Sequence, residues 1–429
     1  MKILSIDPFG DALDLMLRAK ECGHQVKMAL GPDKHYSLVG KGLVDRVFDY
    51  KPQLQWADLI FLCDNTRHLD HLDAFRREYP KTLVFGPTKG TALWETDRLT
   101  GMEIFKKHGI EIPSCKQFSS YAEAVAYVKK KDARLVCKPC GDADKALSYC
   151  SKSPEDMLFM LDKWHRSGQL KAKFILQDFV PGIEFAVSTY VGPLGFAGGW
   201  FENFEHKKLM TGDKGPATGE MGTTILCTDR SKLANKVLRP LEDALVKAGY
   251  TGCIDVNCII DDKGHPWPLE FTNRPGYPAL AIETALFPED PVQWMYDLLA
   301  EGATPKFTKN QVSLGVSMCL PPFPYPNTPV MPAIGMPIFG MTSSNKKHLH
   351  PYHIQKSTVP DTEWMSAAEY TLVVTGMAET VSGAAKRAYK TIDQLNIPGS
   401  PLYRIDIGKP QQKQLPELHA KGYALAWNY

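Results

Sequence analysis

Two acidic residues on neighbouring predicted strands are the first groups in this sequence whose types and spacing could do chemistry. Asp255 and Glu270 each lie in a short apolar run, and residues 261–264 between the runs have the composition of a tight turn. Carboxylates on adjacent strands can hold Mg²⁺ against nucleotide phosphates, and Arg274 nearby could stabilise a phosphoryl group in transfer. Solvated acids at strand ends are also common, so the pattern leaves both readings open.

A second candidate site begins at Lys138, which ends a predicted strand starting at Arg134. The glycine- and aspartate-rich segment 141–145 follows directly and ends at Lys145. A strand that leads into such a turn can bind phosphate through backbone N–H groups and lysine charges. The sequence does not match the Walker pattern, and an ordinary surface loop has the same composition.

The third candidate is the segment from Thr211 to Gly222, which is rich in glycine and small residues. Such a composition excludes a helix or a core strand. It predicts a loop whose backbone can approach a ligand closely.

The elements around these sites predict a mixed α/β and α+β multidomain protein. Short apolar runs alternate with helical patterns over residues 1–88, which predicts an N-terminal doubly wound parallel sheet. A helix is predicted from about Ala92 to His108. The sequence becomes strand-rich after Glu184, and residues 306–429 predict a C-terminal α+β domain.

Bulk composition narrows the classes of function. The 429 residues include 50 Lys and Arg and 48 Asp and Glu, so the formal charge of +2 gives no strong nucleic-acid signal. No signal peptide is visible, and scattered cysteines favour a reducing, cytoplasmic location. The uncharged stretch from Asn310 to Asn345 contains too many prolines for a membrane span and predicts a loop or edge strand.

Three histidines close together form a possible metal-binding pattern. They lie near two lysines in a polar segment, so we expect solvated side chains: His348, His350 and His353.

The order of these features resembles phosphoribosylamine–glycine ligase, an ATP-grasp family of purine biosynthesis, over nearly the whole chain. Four segments carry the resemblance: Val84–Thr88, Gly215–Gly222, Leu269–Arg274, and Lys386–Tyr389 together with Tyr403–Gly408.

The resemblance implies a central ATP-grasp fold and an ATP-dependent, ADP-forming ligase that uses ATP with Mg²⁺ or Mn²⁺. The residues implied to bind the nucleotide are Arg98, Lys138, Lys145, Gln177, Asp178, Phe179, Val180 and Glu184. The implied metal ligands are Asp255, Glu270 and Asn273. Catalytic roles fall on Arg274 and Lys145. Substrate contacts fall on Asp213, Pro216, Thr218, Gly219 and Tyr277.

Departures from the family pattern cluster where the substrates bind. A glycine-rich turn with Arg-Glu-His normally grips the phosphoribosylamine, whereas this chain has Asp7-Pro8-Phe9-Gly10-Asp11 in that place. After Arg274, residues 275–279 replace a Gly-Asp-Pro-Glu segment. Thr272 stands where an Asn ligand is usual, and Arg98 where a Lys is common.

Three functions therefore stay open. The first is a carboxylate–amine ligase that forms an amide through an acyl phosphate, from a small-molecule acid such as glycine and an amine. The second is a specialised ligase that joins glycine or another amino acid to a different amine, such as a modified nucleotide. The third is a non-catalytic nucleotide-binding protein.

The resemblance also predicts the domain organisation. Residues 1–88 form a Rossmann-like domain, residues 89–305 the ATP-grasp domain with a small lid at about 116–182, and residues 306–429 the C-terminal domain. We expect a monomer or homodimer with no membrane partner.

Overall fold

A five-stranded parallel sheet forms the N-terminal part of the computed structural model, which describes residues 1–140, 148–168, 173–287, 289–325 and 333–429. Its strands are β1 Lys2–Ile6, β2 Gln25–Ala29, β3 Asp45–Val47, β4 Leu59–Leu62 and β5 Leu83–Phe85. Their order is β3-β2-β1-β4-β5, and helices α1 (Leu13–Glu21) and α2 (Leu69–Glu78) connect them. β1 and β4 are almost wholly buried, as strands covered on both faces must be. The predicted doubly wound sheet is confirmed.

The helix predicted from Ala92 to His108 is two helices, α3 (Lys89–Thr96) and α4 (Arg98–Lys107). Asp97 interrupts them, because its side chain caps α4 by accepting hydrogen bonds from the backbone N–H groups of Leu99 at 3.0 Å and Thr100 at 3.2 Å. The break places Arg98 at the start of α4, next to the acidic strands.

A small four-stranded sheet follows, with the order β6-β9-β7-β8. Its strands are β6 Cys115–Phe118, β7 Leu135–Pro139, β8 Tyr149–Cys150 and β9 Phe174–Asp178. Helices α5 (Tyr121–Lys131) and α6 (Pro154–Ser167) pack on it through buried apolar side chains, so this unit has its own core.

The rest of the chain is built on a nine-stranded antiparallel sheet. The strands after residue 182 are β10 Ile183–Gly192, β11 Gly195–Phe196, β12 Trp200–Glu205, β13 Lys208–Met210, β14 Lys214–Ala217, β15 Gly222–Thr228, β16 Gly252–Ile260, β17 Pro266–Thr272, β18 Val312–Cys319, β19 Leu349–Pro351, β20 Ile354–Lys356, β21 Trp364–Ser366 and β22 Tyr370–Ala378. The large sheet has the order β17-β16-β10-β12-β15-β18-β22-β19, with β11 paired to β10. The remaining helices are α7 Lys232–Val237, α8 Glu242–Lys247, α9 Ala279–Thr284, α10 Gln293–Glu301, α11 Val381–Ile392 and α12 Gln411–Ala420.

Two expectations about irregular segments are wrong. The stretch from Asn310 was predicted to be a loop or edge strand, but β18 is fully buried between β15 and β22. The segment from Thr211 to Gly222 was predicted to be a loop, but β14 within it pairs with β13 as an exposed hairpin. Glycine composition excludes a core strand, yet it permits a short solvent-facing one.

The large sheet passes through the predicted boundary at residue 305, because β18 and β22 extend the same sheet that holds β16 and β17. The division into three domains therefore stays a prediction.

The histidine prediction is wrong for two of the three residues. His350 is 1 % exposed; its Nδ1 lies 2.8 Å from Asp14 Oδ2, and its Nε2 lies 2.9 Å from Thr375 Oγ1. His353 is 5 % exposed. Both are buried because β19 and the residues after it dock onto β22, a long-range pairing that the polar neighbours in the sequence do not reveal.

Candidate active site

The two acidic strands bring their polar side chains to one face of the large sheet. In the register of β16 against β17, Asp255 lies opposite Thr272, and Asn257 lies opposite Glu270. Residues two apart on a strand share a face, so these four side chains point the same way, and all four line one cavity. The predicted acidic pair is therefore close in space.

Glu270 is surrounded by cationic groups. Its carboxylate accepts a 2.6 Å hydrogen bond from Arg98, and Lys207 Nζ lies 3.8 Å away. Burial by itself would raise the pKa of Glu270, but Arg98, Lys207 and Lys138 outweigh burial and hold the pKa well below its ordinary value. Glu270 is therefore ionised at neutral pH and lies among positively charged side chains.

Lys138 ends β7 and reaches across to the large sheet, where its Nζ donates to the backbone oxygen of Leu269 at 3.2 Å. Burial lowers the pKa of its ammonium group to about 8, although Glu270 opposes that shift. Lys145 lies outside the described residues, so the predicted second lysine has no place in this geometry.

A buried acidic cluster lies deeper, behind Glu270. It contains Glu205, Glu220 and Asp255, and burial together with Glu205 raises the pKa of both Glu220 and Asp255 well above the ordinary range. Lys207 bridges this cluster, 2.9 Å from Glu205 and 3.0 Å from Glu184.

Several acceptor oxygens in the inner cavity have no hydrogen-bond donor among the described residues. They are Asn203 Oδ1, Glu220 Oε1 and Asn257 Oδ1. Buried acceptors without donors, set among crowded carboxylates, suit a bound cation. No group of three or more His, Cys, Asp or Glu residues with metal-binding geometry occurs in the described part of the chain. The residues fit a divalent ion held by one or two carboxylates together with phosphate oxygens.

Arg274 lies at the junction of the inner cavity with a larger cleft, and it lines both. The guanidinium is 3.4 Å from Glu95, and it donates a 2.9 Å hydrogen bond to the backbone oxygen of Pro275. The larger cleft has a volume of about 1050 Å³ and extends from Arg98 and Glu270 to Asp11 and Tyr277. This volume suits two substrates placed side by side.

Asn273 does not face the acidic pair. Its side chain donates to the backbone oxygen of Thr91 and accepts a 2.9 Å hydrogen bond from Asn65. Strand alternation explains this position, since Glu270 and Thr272 share the cavity face and the next residue points away. The side chain of Asn273 is therefore turned away from the cavity in this structure, and Asn257 occupies the cavity face.

The residues implied to hold the nucleoside lie around the end of β9. Gln177 is 1 % exposed within the strand, Asp178 pairs with Lys131 at 2.9 Å, and the Phe179 ring lies 3.6 Å from the Arg134 guanidinium. Val180 connects this end to β10. Glu184 accepts a 2.9 Å hydrogen bond from Asn257, so it belongs to the same network as the acidic cluster.

The β13–β14 hairpin carries the implied substrate residues. Thr218 donates through its hydroxyl to the backbone oxygen of Lys207 at 2.9 Å, and Gly219 lines the inner cavity. Asp213, at the hairpin turn, is 2.7 Å from Arg404, and Pro216 lies on β14. Arg404 is fully buried, so the C-terminal segment fixes the hairpin over the cavity.

Sequence reasoning missed acidic and amide residues of β12 and β16, an acid just before β15 and the lysine that bridges the cluster: Asn203, Glu205, Asn257, Glu220 and Lys207. A signal was present in Asn257, which lies two residues after Asp255 and so shares its face. The others are separated from the hairpin by some fifty residues, and only the sheet order brings them close.

Residues 98–279 match the family described as phosphoribosylglycinamide synthetase, ATP-grasp (A) domain. A curated phosphoribosylamine–glycine ligase of Ralstonia nicotianae is 27% identical over 341 residues, which cover 76% of this chain and 78% of the relative. The crystal structure of phosphoribosylamine–glycine ligase from Thermotoga maritima superposes with a TM-score of 0.72 and 19% identity, over 95% of this chain and all of the other.

Residues 98–279 therefore match an ATP-grasp domain, and the chain as a whole resembles the phosphoribosylamine–glycine ligases in sequence and in fold. The predicted resemblance is confirmed, as is the prediction of an ATP-dependent, ADP-forming carboxylate–amine ligase resembling that family. Solved structures of similar fold include an ADP complex of N5-carboxyaminoimidazole ribonucleotide synthetase and a biotin carboxylase domain with MgADP. No helix in the described ranges combines the length and apolarity needed to span a bilayer.

Proposed function

We propose that this enzyme activates the carboxylate of a small amino acid, glycine first among them, and joins it to an amine. The observation that carries the proposal is the convergence of Lys138 and Arg98 on Glu270, which lines the inner cavity together with Asp255 and Arg274. The curated relatives carry the name of an enzyme that joins glycine to phosphoribosylamine, which supports glycine as the acid.

ATP binding falls to the cationic end of the cleft. Lys138 and Arg98 supply positive charge for the phosphates, and the segment 177–180 supplies the strand end for the nucleoside. Lys145 stays a further phosphate-binding candidate from the family resemblance. The small four-stranded sheet carries Lys138, so a shift of that sheet towards β17 would close the site and exclude water.

Asp255 and Glu270 would hold the divalent ion, with Mg²⁺ the first choice because both ligands are hard oxygen donors. The ion would neutralise charge on the phosphate oxygens. Asn203 donates a 3.0 Å hydrogen bond to Asp255 and orients that carboxylate, and Asn257 donates one of 2.8 Å to the neighbouring Glu205.

The reaction takes two steps. A carboxylate oxygen of the acid forms a bond to the γ-phosphorus while the bond to the ADP oxygen breaks. The amine nitrogen then attacks the acyl carbon, phosphate leaves, and the nitrogen gives up a proton. Arg274 faces both cavities and is placed to stabilise charge on the transferred group. Holding the two reactants in line lowers the activation free energy by roughly 7–11 kcal/mol.

Hydroxylamine tests the proposal without knowledge of the natural amine, because it traps an acyl phosphate as a hydroxamate. With Mg-ATP and glycine we expect hydroxamate and ADP in equal amounts, and neither product when glycine or the metal is omitted. Mg²⁺-dependent ATP binding with no hydroxamate from glycine, alanine or β-alanine would support the non-catalytic alternative instead.

A further inference from the structure

The loop after β1 already holds an internal carboxylate where a phosphate would be expected. Asp7 accepts hydrogen bonds from the backbone N–H groups of Gly10 at 2.8 Å, Asp11 at 3.0 Å and Ala12 at 2.8 Å. Converging amides in front of a helix form an anion-binding nest, and α1 begins at Leu13. Asp7 fills the nest, so these amides are not available to a phosphorylated ligand.

This loop lies at the position where a doubly wound sheet binds its ligand. The chain runs from β1 outward through β2 to β3 and then crosses back to β4 on the other side of β1, so the crevice opens between β1 and β4. Asp11 and Phe9 after β1, and Asp64 after β4, line the large cleft together with Tyr277. The cleft continues to Arg274 and Glu270, where the acyl group forms in the proposed reaction.

Aromatic rings surround Asp11 in this crevice. Tyr36 packs against Phe9 with 5.4 Å between the ring centroids and against His353 with 5.0 Å. Tyr352 contacts Tyr277 at 6.0 Å between centroids, on the side towards the large cleft. Rings of this kind around a carboxylate suit an ammonium group, by charge and by cation–π attraction.

Two of these side chains are buried with unsatisfied polar atoms. Neither ring nitrogen of His353 has a hydrogen-bond partner among the described residues, and the Tyr352 hydroxyl also lacks one. His353 Nε2 lies 3.6 Å from Asp11 Oδ1, which is beyond hydrogen-bond length. Buried groups of this type indicate a ligand with hydroxyl or amine groups of its own.

The charge around the crevice disfavours phosphate. Asp7, Asp11 and Asp64 are all acidic, and Glu369 nearby is 2.6 Å from His35. Arg67 lies on this wall, 3.9 Å from Asp64 and 5.0 Å from the centre of the Phe9 ring. Arg67 is matched by Asp64, and Arg274 farther along the cleft is matched by Glu95, so neither cation is left over for a phosphate.

We infer that the crevice around Asp11 is the amine-binding subsite and that it takes an unphosphorylated, ring-bearing primary amine. Asp11 contacts the ammonium group. His353 contacts ring hydroxyls, as does the hydroxyl of Tyr277, which lines the cleft and has no hydrogen-bond partner among the described residues. The inference rests on the proposed ligase function. It narrows that function by excluding phosphoribosylamine-like acceptors, since the place for their phosphate is filled by Asp7.

Matched amines that differ only in a phosphate test the inference. Glucosamine and glucosamine 6-phosphate compete with hydroxylamine for the activated glycine, as do ethanolamine and O-phosphoethanolamine. We expect each free amine to halve hydroxamate formation at a concentration at least tenfold below that of its phosphate ester. Glucosamine, which bears a ring, should compete more strongly than ethanolamine. In Asp11→Asn this tenfold preference should fall to less than threefold.

Asp262→Asn is the matched control, because it removes a carboxylate from the exposed turn between β16 and β17. The Asp262→Asn enzyme should keep the full tenfold preference for each free amine over its phosphate ester. Equal or stronger competition by the phosphate esters, or an unchanged preference in Asp11→Asn, would overturn the inference. So would a failure of every amine to compete while hydroxamate still forms, and that result would leave the ligase proposal intact. A failure of hydroxamate formation itself would instead refute the proposed function.

Discussion

The two ends of the active-site cleft differ in charge and in their relation to the family pattern. The phosphate end holds Lys138, Arg98 and Lys207 around Glu270. The amine end holds Asp11 and a set of aromatic rings, in a loop that departs from the family pattern. This contrast supports our proposal of acyl activation at one end and an acceptor unlike phosphoribosylamine at the other.

The largest effect should come from Glu270→Gln. The substitution removes a metal ligand and leaves Arg98, Lys138 and Lys207 without their shared carboxylate, so we expect hydroxamate formation to fall by about 10²–10³-fold. Initial rates at saturating ATP and glycine measure the effect. Asp262→Asn serves as the control, and near-wild-type turnover in Glu270→Gln would show that the phosphate end does not work as described.

A pH titration tests the phosphate end from another side. Burial lowers the pKa of Lys138 to about 8, so its ammonium predominates below that pH and is lost as the pH rises. We expect the affinity for Mg-ATP to fall by about tenfold between pH 7 and pH 9, since each pH unit above the pKa removes roughly tenfold of the charged form. Lys138→Arg stays charged throughout, so it should give a flat profile over that range. If the affinity for Mg-ATP fell equally with pH in the wild type and in Lys138→Arg, Lys138 would not be the group that binds the phosphates.

The amine end is tested by His353→Phe. Phe keeps the ring packing against Tyr36 and removes two nitrogens that have no partner among the described residues. We expect the KM for glucosamine in amine-dependent ADP release to rise about fivefold, which corresponds to one lost hydrogen bond of about 1 kcal/mol. A lower melting temperature with no change in the KM for glucosamine would instead assign His353 a structural role.

The smallest effect should come from Asp213→Asn. The side chain is 63 % exposed and pairs with Arg404 at the turn of the β13–β14 hairpin. The buried Arg404 is also held by two hydrogen bonds to Asp406, so the loss of the exposed partner should cost no more than about 1 kcal/mol, and the KM for glycine should change by no more than about fivefold. A larger loss would mean that Asp213 contacts the acid directly, as the family resemblance implied.

Much of the phosphate end could be predicted from the sequence. Asp255, Glu270 and Arg274 lie on one hairpin, so strand alternation and a short turn are enough to bring them together. The same alternation could have excluded Asn273, which points to the opposite face. Local patterns determine such hairpins, and for that reason the acidic pair was found.

The supporting residues and the amine end depend on long-range pairing. Glu205 reaches the site only because β12 lies one strand away from β16 across β10. His353 is buried only because the segment after β19 packs beside β22, although Lys346 and Lys347 lie close to it in the sequence. Neither contact has a local signal, so a single sequence could not predict them.

Oxygen transfer tests the central claim most directly. Glycine labelled with ¹⁸O in its carboxylate is incubated with Mg-ATP, hydroxylamine and the enzyme, and the released phosphate is analysed by mass spectrometry. Attack by the carboxylate on the γ-phosphorus predicts one ¹⁸O atom in each phosphate formed. Hydroxamate accompanied by unlabelled phosphate would contradict acyl-phosphate formation and with it the account of this site.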